Sequence, residues 1–182
     1  MPEPHLKLRA DSKSLTAIGS GISHFSGGDQ WHACRLRSGD NLVEVNVHSL
    51  DVAPLFEVFA LDLRIAPLSD AEFGGWREWP LDSWIVAILT REEFVEPGNP
   101  ATPRLGELGY EQSAARPGLV PERAVASCIV DVGLLFTGEL GQRVIVAADR
   151  FPHNVLITND PAEVETFLDS CVARPLGDYA LS

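Results

Sequence analysis

The sequence predicts a single α+β domain over residues 1–182, mainly antiparallel β-sheet, with one C-terminal helix packed on the sheet and a long Pro/Gly-rich excursion over residues 96–124. Three observations predict it. Apolar residues alternate with period two between Ala126 and Ala148, a two-residue turn at Gly39–Asp40 joins two alternating runs, and a capped amphipathic stretch follows Asp160.

From Ala126 to Phe136 the residues Cys128, Val130, Val132, Leu134 and Phe136 share one side of an extended run, with Ile129, Asp131, Gly133 and Leu135 on the other. The cluster Thr137–Gly141 then supplies glycines able to take positive φ, and Gln142–Ala148 resumes in β-branched residues, so the pair reads as a β-hairpin. Asn154–Thr158 reads as a third strand. Asp160 caps a helix with Pro161 at its first position, where a missing N–H costs nothing, and Glu163 three residues past the cap. The spacing of Val164, Phe167, Leu168, Cys171 and Val172 predicts a buried stripe, and Pro175 closes a helix expected over Pro161–Ala173.

The first half reads as antiparallel sheet. With Gly39–Asp40 as a two-residue turn, Ser38 pairs with Asn41, Arg35 with Glu44, Trp31 with His48, Leu36 with Val43 and Cys34 with Val45. Residues 55–65 fit a strand through Phe59, Leu61, Leu63 and Ile65, and also a helix entered at Asp51 through Val52, Leu55, Phe56 and Phe59; the strand is preferred. Trp84–Thr90 is apolar on both faces, as a central strand should be.

Composition narrows the function classes. A hydrophobic fraction of 45% against 22% charged is that of a chain with a packed core, not a disordered one. The apolar runs Trp84–Leu89 and Val132–Phe136 are far shorter than a membrane span, and Met1–Ser14 has no signal-peptide block, so the expectation is a cytoplasmic protein without membrane contact. Cys34, Cys128 and Cys171 are odd in number and lie on apolar faces, which favours buried free thiols. With a net charge of −12 and no basic run, nucleic acid is not an expected ligand, whereas a partner with a basic surface is.

No motif marks a reaction centre. The glycines at 19, 21, 27 and 28 make neither a dinucleotide fingerprint nor a P-loop, and Ser20 and Ser127 lack a nucleophile elbow. His5, His24, His32, His48 and His153 have no paired metal-ligand spacing, and His32 with Cys34 reads as a half-buried imidazole beside a packed thiol. No catalytic residue, metal or cofactor is therefore expected. The acidic aromatic stretch Ser69–Trp84 is the exception to this plainness. Trp76, Glu78, Trp79 and Asp82 are the candidate partner-binding residues, aromatics being common interface anchors. The expectation is a non-enzymatic soluble interaction protein, an acidic inhibitor or immunity-type binder of a basic partner. The alternative is a small-molecule binding or hydrolytic domain with its pocket under the 96–124 excursion, and that proline-rich arm also suggests a homodimer.

Overall fold

The computed structural model describes residues 5–27, 33–53, 56–66, 75–94, 127–148 and 154–178. The 96–124 excursion, Trp31, His32 and Phe73 lie outside them. In chain order the elements are β1 (His5–Leu6), β2 (Arg9–Ala10), α1 (Ser12–Ser20), β3 (His24–Gly27), β4 (Ala33–Ser38), β5 (Asn41–Ala53), β6 (Phe56–Ala66), β7 (Arg77–Glu78), β8 (Trp84–Phe94), β9 (Ser127–Gly138), β10 (Arg143–Ala148), β11 (Val155–Thr158), α2 (Pro161–Leu168) and β12 (Val172–Pro175), closed by a 3₁₀ turn at Leu176–Asp178. No helix among the described residues is long and apolar enough to cross a membrane.

The strands form two six-stranded sheets. One runs β11-β10-β9-β8-β12, with β1 alongside β9; the other runs β2-β6-β5-β4-β3-β7. All pairings are antiparallel except β1 with β9 and β2 with β6, which are parallel. The β4–β5 hairpin has the register its turn predicts, Ser38 opposite Asn41, Arg35 opposite Glu44 and Cys34 opposite Val45, and Gly39 takes φ +55° in the turn. Residues 56–66 are strand, the preferred of the two readings. β8 lies between β9 and β12 and buries Val86, Ile88 and Leu89.

Two apolar clusters hold the sheets. In the larger one, Leu36, Val43, Val45, Leu61 and Leu63 of one sheet meet Ile88, Leu134, Phe136 and Val146 of the other, with Ala17 and Ile18 of α1. In the smaller, Leu89, Val130, Val132, Leu135, Ile145 and Ala147 pack with Val164 of α2 and with Val58 and Ala60 of β6. The simple alternation expected of β9 is corrected here. The register shifts between Leu89/Thr90 and Gly133/Asp131, leaving Val132 as an extra residue, so Cys128, Val130 and Val132 join the smaller cluster while Leu134 and Phe136 join the larger. At the same bulge Gly133 faces Ala147 closely. A Cβ on Gly133 would lie 2.8 Å from the Ala147 Cβ and 2.9 Å from the Val146 carbonyl oxygen, so only glycine fits.

The single C-terminal helix expected of the sequence is also corrected: two helices are present among the described residues. α1 is capped by Asp11, whose carboxylate accepts from the Ser14 N–H at 2.6 Å, and ends at Gly21. α2 begins as predicted, with Asp160 accepting from the N–H groups of Ala162 and Glu163, but it stops at Leu168 and not at Ala173. There the chain tightens, Cys171 N–H donating to the Leu168 carbonyl at 3.0 Å, and Val172–Pro175 pair with β8 as an edge strand. Val164 is buried and Phe167, Leu168 and Cys171 pack against the smaller cluster, whereas Val172 is exposed.

The N-terminal segment joins the two sheets. β1 pairs with β9 and, three residues on, β2 pairs with β6. Asp131 stands at this crossing, 1% exposed, its carboxyl oxygens accepting from His5 Nε2 at 2.8 Å, Leu8 N–H at 3.0 Å and Thr90 Oγ1 at 3.3 Å. Next to it, His48 Nε2 donates to the Lys7 carbonyl at 3.2 Å, and its buried Nδ1 has no hydrogen-bond partner among the described residues. Burial, and then the charge of Arg9, hold the His48 imidazole below its ordinary value, against a smaller opposite pull from the Lys7 carbonyl and Asp62.

Two predictions follow from these contacts. Gly133→Ala should cost about 1–3 kcal/mol, read as a lower urea midpoint at unchanged m-value, because backbone of the neighbouring strand must move to admit the methyl. For His48, a depressed folded pKa means that the unfolded chain takes up the proton more readily. Stability from this group is then complete above the unfolded value of about 6.5 and falls as pH drops below it. Urea midpoints measured from about pH 7.5 to about pH 5 should decline in the wild type and decline less in His48→Gln; parallel curves would show that His48 does not contribute.

Candidate functional site

The segment carrying the sequence-predicted residues runs from the edge of one sheet to the other. Arg77 and Glu78 form β7, pairing with Phe25 and His24 of β3, and five residues later Ser83 leads into β8. Between them the chain is pinned by Trp79. Its backbone N–H donates to the Ser23 carbonyl at 2.9 Å, and its ring makes edge contacts with Phe25 (5.9 Å between centroids), Trp84 (5.9 Å) and Phe136 (5.0 Å). Trp84 closes the box by donating its indole N–H to the Ile18 carbonyl of α1 at 3.0 Å. Arg77 lies over the Phe25 ring at 4.5 Å and donates to the Gly27 carbonyl at 2.9 Å.

The four sequence-predicted residues thus have different fates. Trp79 is 7% exposed and belongs to the larger core, so its side chain is not available as an interface anchor. Trp76 is half-buried, and Glu78 and Asp82 are exposed on either side of the Trp79 pivot. Tryptophan in an acidic, glycine-bearing stretch reads from sequence alone as a surface anchor. Only the convergence of β3, β8 and β9 decides that one of the two is core.

Beyond Trp79 the chain borders a cleft with a volume of about 250 Å³. Pro80 and Leu81, the turn residues Gly141 and Gln142, Arg143 at the start of β10, and Asn159 and Pro161 line it, above the buried side chains of Val144 and Val164. The β9–β10 turn is held by Gly138 N–H donating to the Gln142 carbonyl at 2.8 Å and by Gly141 in the left-handed region at φ +81°. Arg143 pairs with Glu165 of α2. Leu140, at 88% exposure, sits at the tip of that turn, and Ile85, at 75%, lies in the same cross-strand row as Thr137 and Arg143. Sequence reasoning found the turn and the helix cap but not this cleft. It is assembled from segments some sixty residues apart, and no local signal joins them.

Other reactive side chains are placed less favourably. Cys34 and Cys128 are buried free thiols and Cys171 is a half-buried one. Burial, with the Glu44 carboxylate, pushes the Cys34 thiol far up, so it has no accessible thiolate. Glu44 is itself held below the usual carboxylate range by the Asn46 amide and then by Arg35, whose Nε and Nη2 donate to it at 3.3 and 3.1 Å. Among the described residues no group of three or more His, Cys, Asp or Glu side chains is placed to hold a metal ion. No protein-family model matches the chain, and no curated protein or solved structure matches it.

Replacing the two tryptophans separates the core role from a surface role. Trp79→Ala should cost about 3–5 kcal/mol in chemical denaturation, as expected for a large aromatic taken from a packed core. Trp76→Ala should cost about 1 kcal/mol or less and leave the near-ultraviolet dichroism of the aromatic box intact. Equal losses would mean that both rings are structural.

Proposed function

We propose that this chain is a non-enzymatic interaction protein that binds a basic partner, in the manner of an acidic inhibitor or immunity-type protein. The observation that carries the reading is the pinned segment 77–82. Trp79 is locked among three aromatic rings while its neighbours Glu78, Pro80 and Asp82 point outward, which presents two carboxylates on a backbone already fixed. A surface ordered before binding loses less conformational entropy on association than a free loop. The excess of 26 acidic over 14 basic residues adds a long-range field that steers a cationic partner towards it. Half-buried Trp76, beside β7, supplies apolar contact area at the rim.

The test uses the full chain immobilised for capture at low ionic strength, with mass spectrometry of what is retained. The reading expects a basic protein that salt releases, and whose Kd rises on the order of tenfold or more when Glu78→Lys and Asp82→Lys are combined. Retention indifferent to both salt and the charge reversals, or retention of no basic protein, would overturn it.

A further inference from the structure

We infer that the outer edge of β7 is a strand-addition site, where an extended cationic segment of the basic partner hydrogen-bonds to the backbone of Glu78; the inference rests on the functional reading above and assigns its mode of contact. β7 ends the order of its sheet, with β3 on one side and no strand on the other among the described residues. One hydrogen bond sets the direction of its backbone groups. Trp79 N–H donates to the Ser23 carbonyl, on the β3 side, and backbone groups alternate sides along a strand. Arg77, in register with Phe25, therefore turns its N–H and C=O towards β3, and Glu78, in register with His24, turns its own away from the sheet. Neither backbone group of Glu78 has a hydrogen-bond partner among the described residues. A donor and an acceptor side by side on extended chain are satisfied together by the N–H and C=O of one residue in an added strand.

The side chains favour a cation on that strand. β4, β3 and β7 carry Arg37, His24 and Glu78 in one cross-strand row, and the row ends on the exposed carboxylate. A residue paired with Glu78 takes the next place in the row, where opposite charge is favoured and like charge disfavoured. The cation of β7 itself is turned to the other face, Arg77 lying over the Phe25 ring and donating to the Gly27 carbonyl. The edge is also held in shape before anything binds. Trp79, the next residue, is locked among three rings, so β7 cannot swing out without opening the core. A second copy of the chain is a poor occupant, since a net charge of −12 repels its like. Pro80 has no N–H to extend the ladder, which keeps the contact short and the edge from templating a continuous sheet.

The experiment is an amide-shift titration of the ¹⁵N-labelled full chain with the peptide N-acetyl-TKVKT-amide, and with the same peptide N-methylated at both lysine amides. The plain peptide should give saturable shifts at Arg77, Glu78 and Trp79 with a Kd on the order of millimolar, and should slow hydrogen exchange at the Glu78 amide. The methylated peptide keeps its charge but loses the donors, and should bind at least about tenfold more weakly. Glu78→Pro removes the outward N–H and leaves the Trp79–Ser23 bond, a change that edge strands tolerate; it should abolish the shifts while the near-ultraviolet dichroism of the aromatic rings holds. Glu78→Gln keeps the N–H and should weaken binding less than Glu78→Pro does. Equal binding of the two peptides, or shifts confined to other surfaces such as the β12 edge, would overturn the assignment. If the plain peptide adds to β7 but the chain captures no basic protein, the edge site stands and the functional reading falls. If a basic protein is captured and Glu78→Pro leaves its affinity unchanged, the reading stands and the edge site falls.

Discussion

The buried carboxyl group of Asp131 is the constraint on which the joining of the two sheets depends. A polar group so placed is costly unless its hydrogen bonds are made, and here the donors come from three separate elements: His5 in β1, the Leu8 amide between β1 and β2, and Thr90 in β8. Each of β1 and β2 pairs over only two residues, too few to hold a chain terminus by ladder bonds alone. The carboxylate therefore does what the short strands do not. It also depends on the bulge, since Val132 as an extra residue is what turns Asp131 to the same side as Thr90 and Leu8. Slipping β9 by one residue would bring an apolar side chain to those donors and leave them unsatisfied, so the same group that secures the terminus also secures the register.

A second joint works through aromatic packing. Phe25 belongs to one sheet, Trp84 and Phe136 to the other, and Trp79 lies between them with α1 in contact through Ile18. Edge-to-face contacts of this kind contribute beyond the area they bury, and they fix ring orientation as well as distance. The consequence reaches the surface. Because Trp79 cannot move without opening the core, Glu78 and Asp82 are presented at a set separation, and Pro80–Leu81 become a rigid wall of the neighbouring cleft.

Much of the fold was legible because its strongest signals are local. The turn at Gly39–Asp40 determines the β4–β5 register without reference to anything distant, and Asp160, Pro161 and Glu163 announce α2 within four residues. What was not legible depends on tertiary partners. α1 is short and made largely of serine, threonine and glycine, weak helix formers, and it is stabilised by burying Ala17 and Ile18 against strands that come later in the chain. Val172 has helical spacing from Val164 and Leu168, yet it pairs with Thr90, because β8 offers it a strand edge that no periodicity can reveal. The alternation along β9 puts Cys128, Val130, Leu134 and Phe136 on one side, and the bulge at Val132 divides them between two clusters. Trp76 and Trp79 are alike in sequence context and differ only in what folds against them.

The distribution of charge follows from the same architecture. On the sheets three arginines are matched locally, Arg35 with Glu44, Arg64 with Asp62 and Arg91 with Glu93. Exposed or half-exposed pairs of this kind contribute little to stability, but they cancel most of the positive field that these side chains would otherwise project. Among the described residues, Asp82, Glu139 and Asp160, at turns and at a helix start, are exposed carboxylates outside these ion pairs. A solubilising charge would serve equally well if scattered over the whole surface. Among the described residues Asp82 follows the wall residue Leu81 and Asp160 caps α2, so these two acidic side chains stand on backbone that the aromatic box and the helix cap already hold.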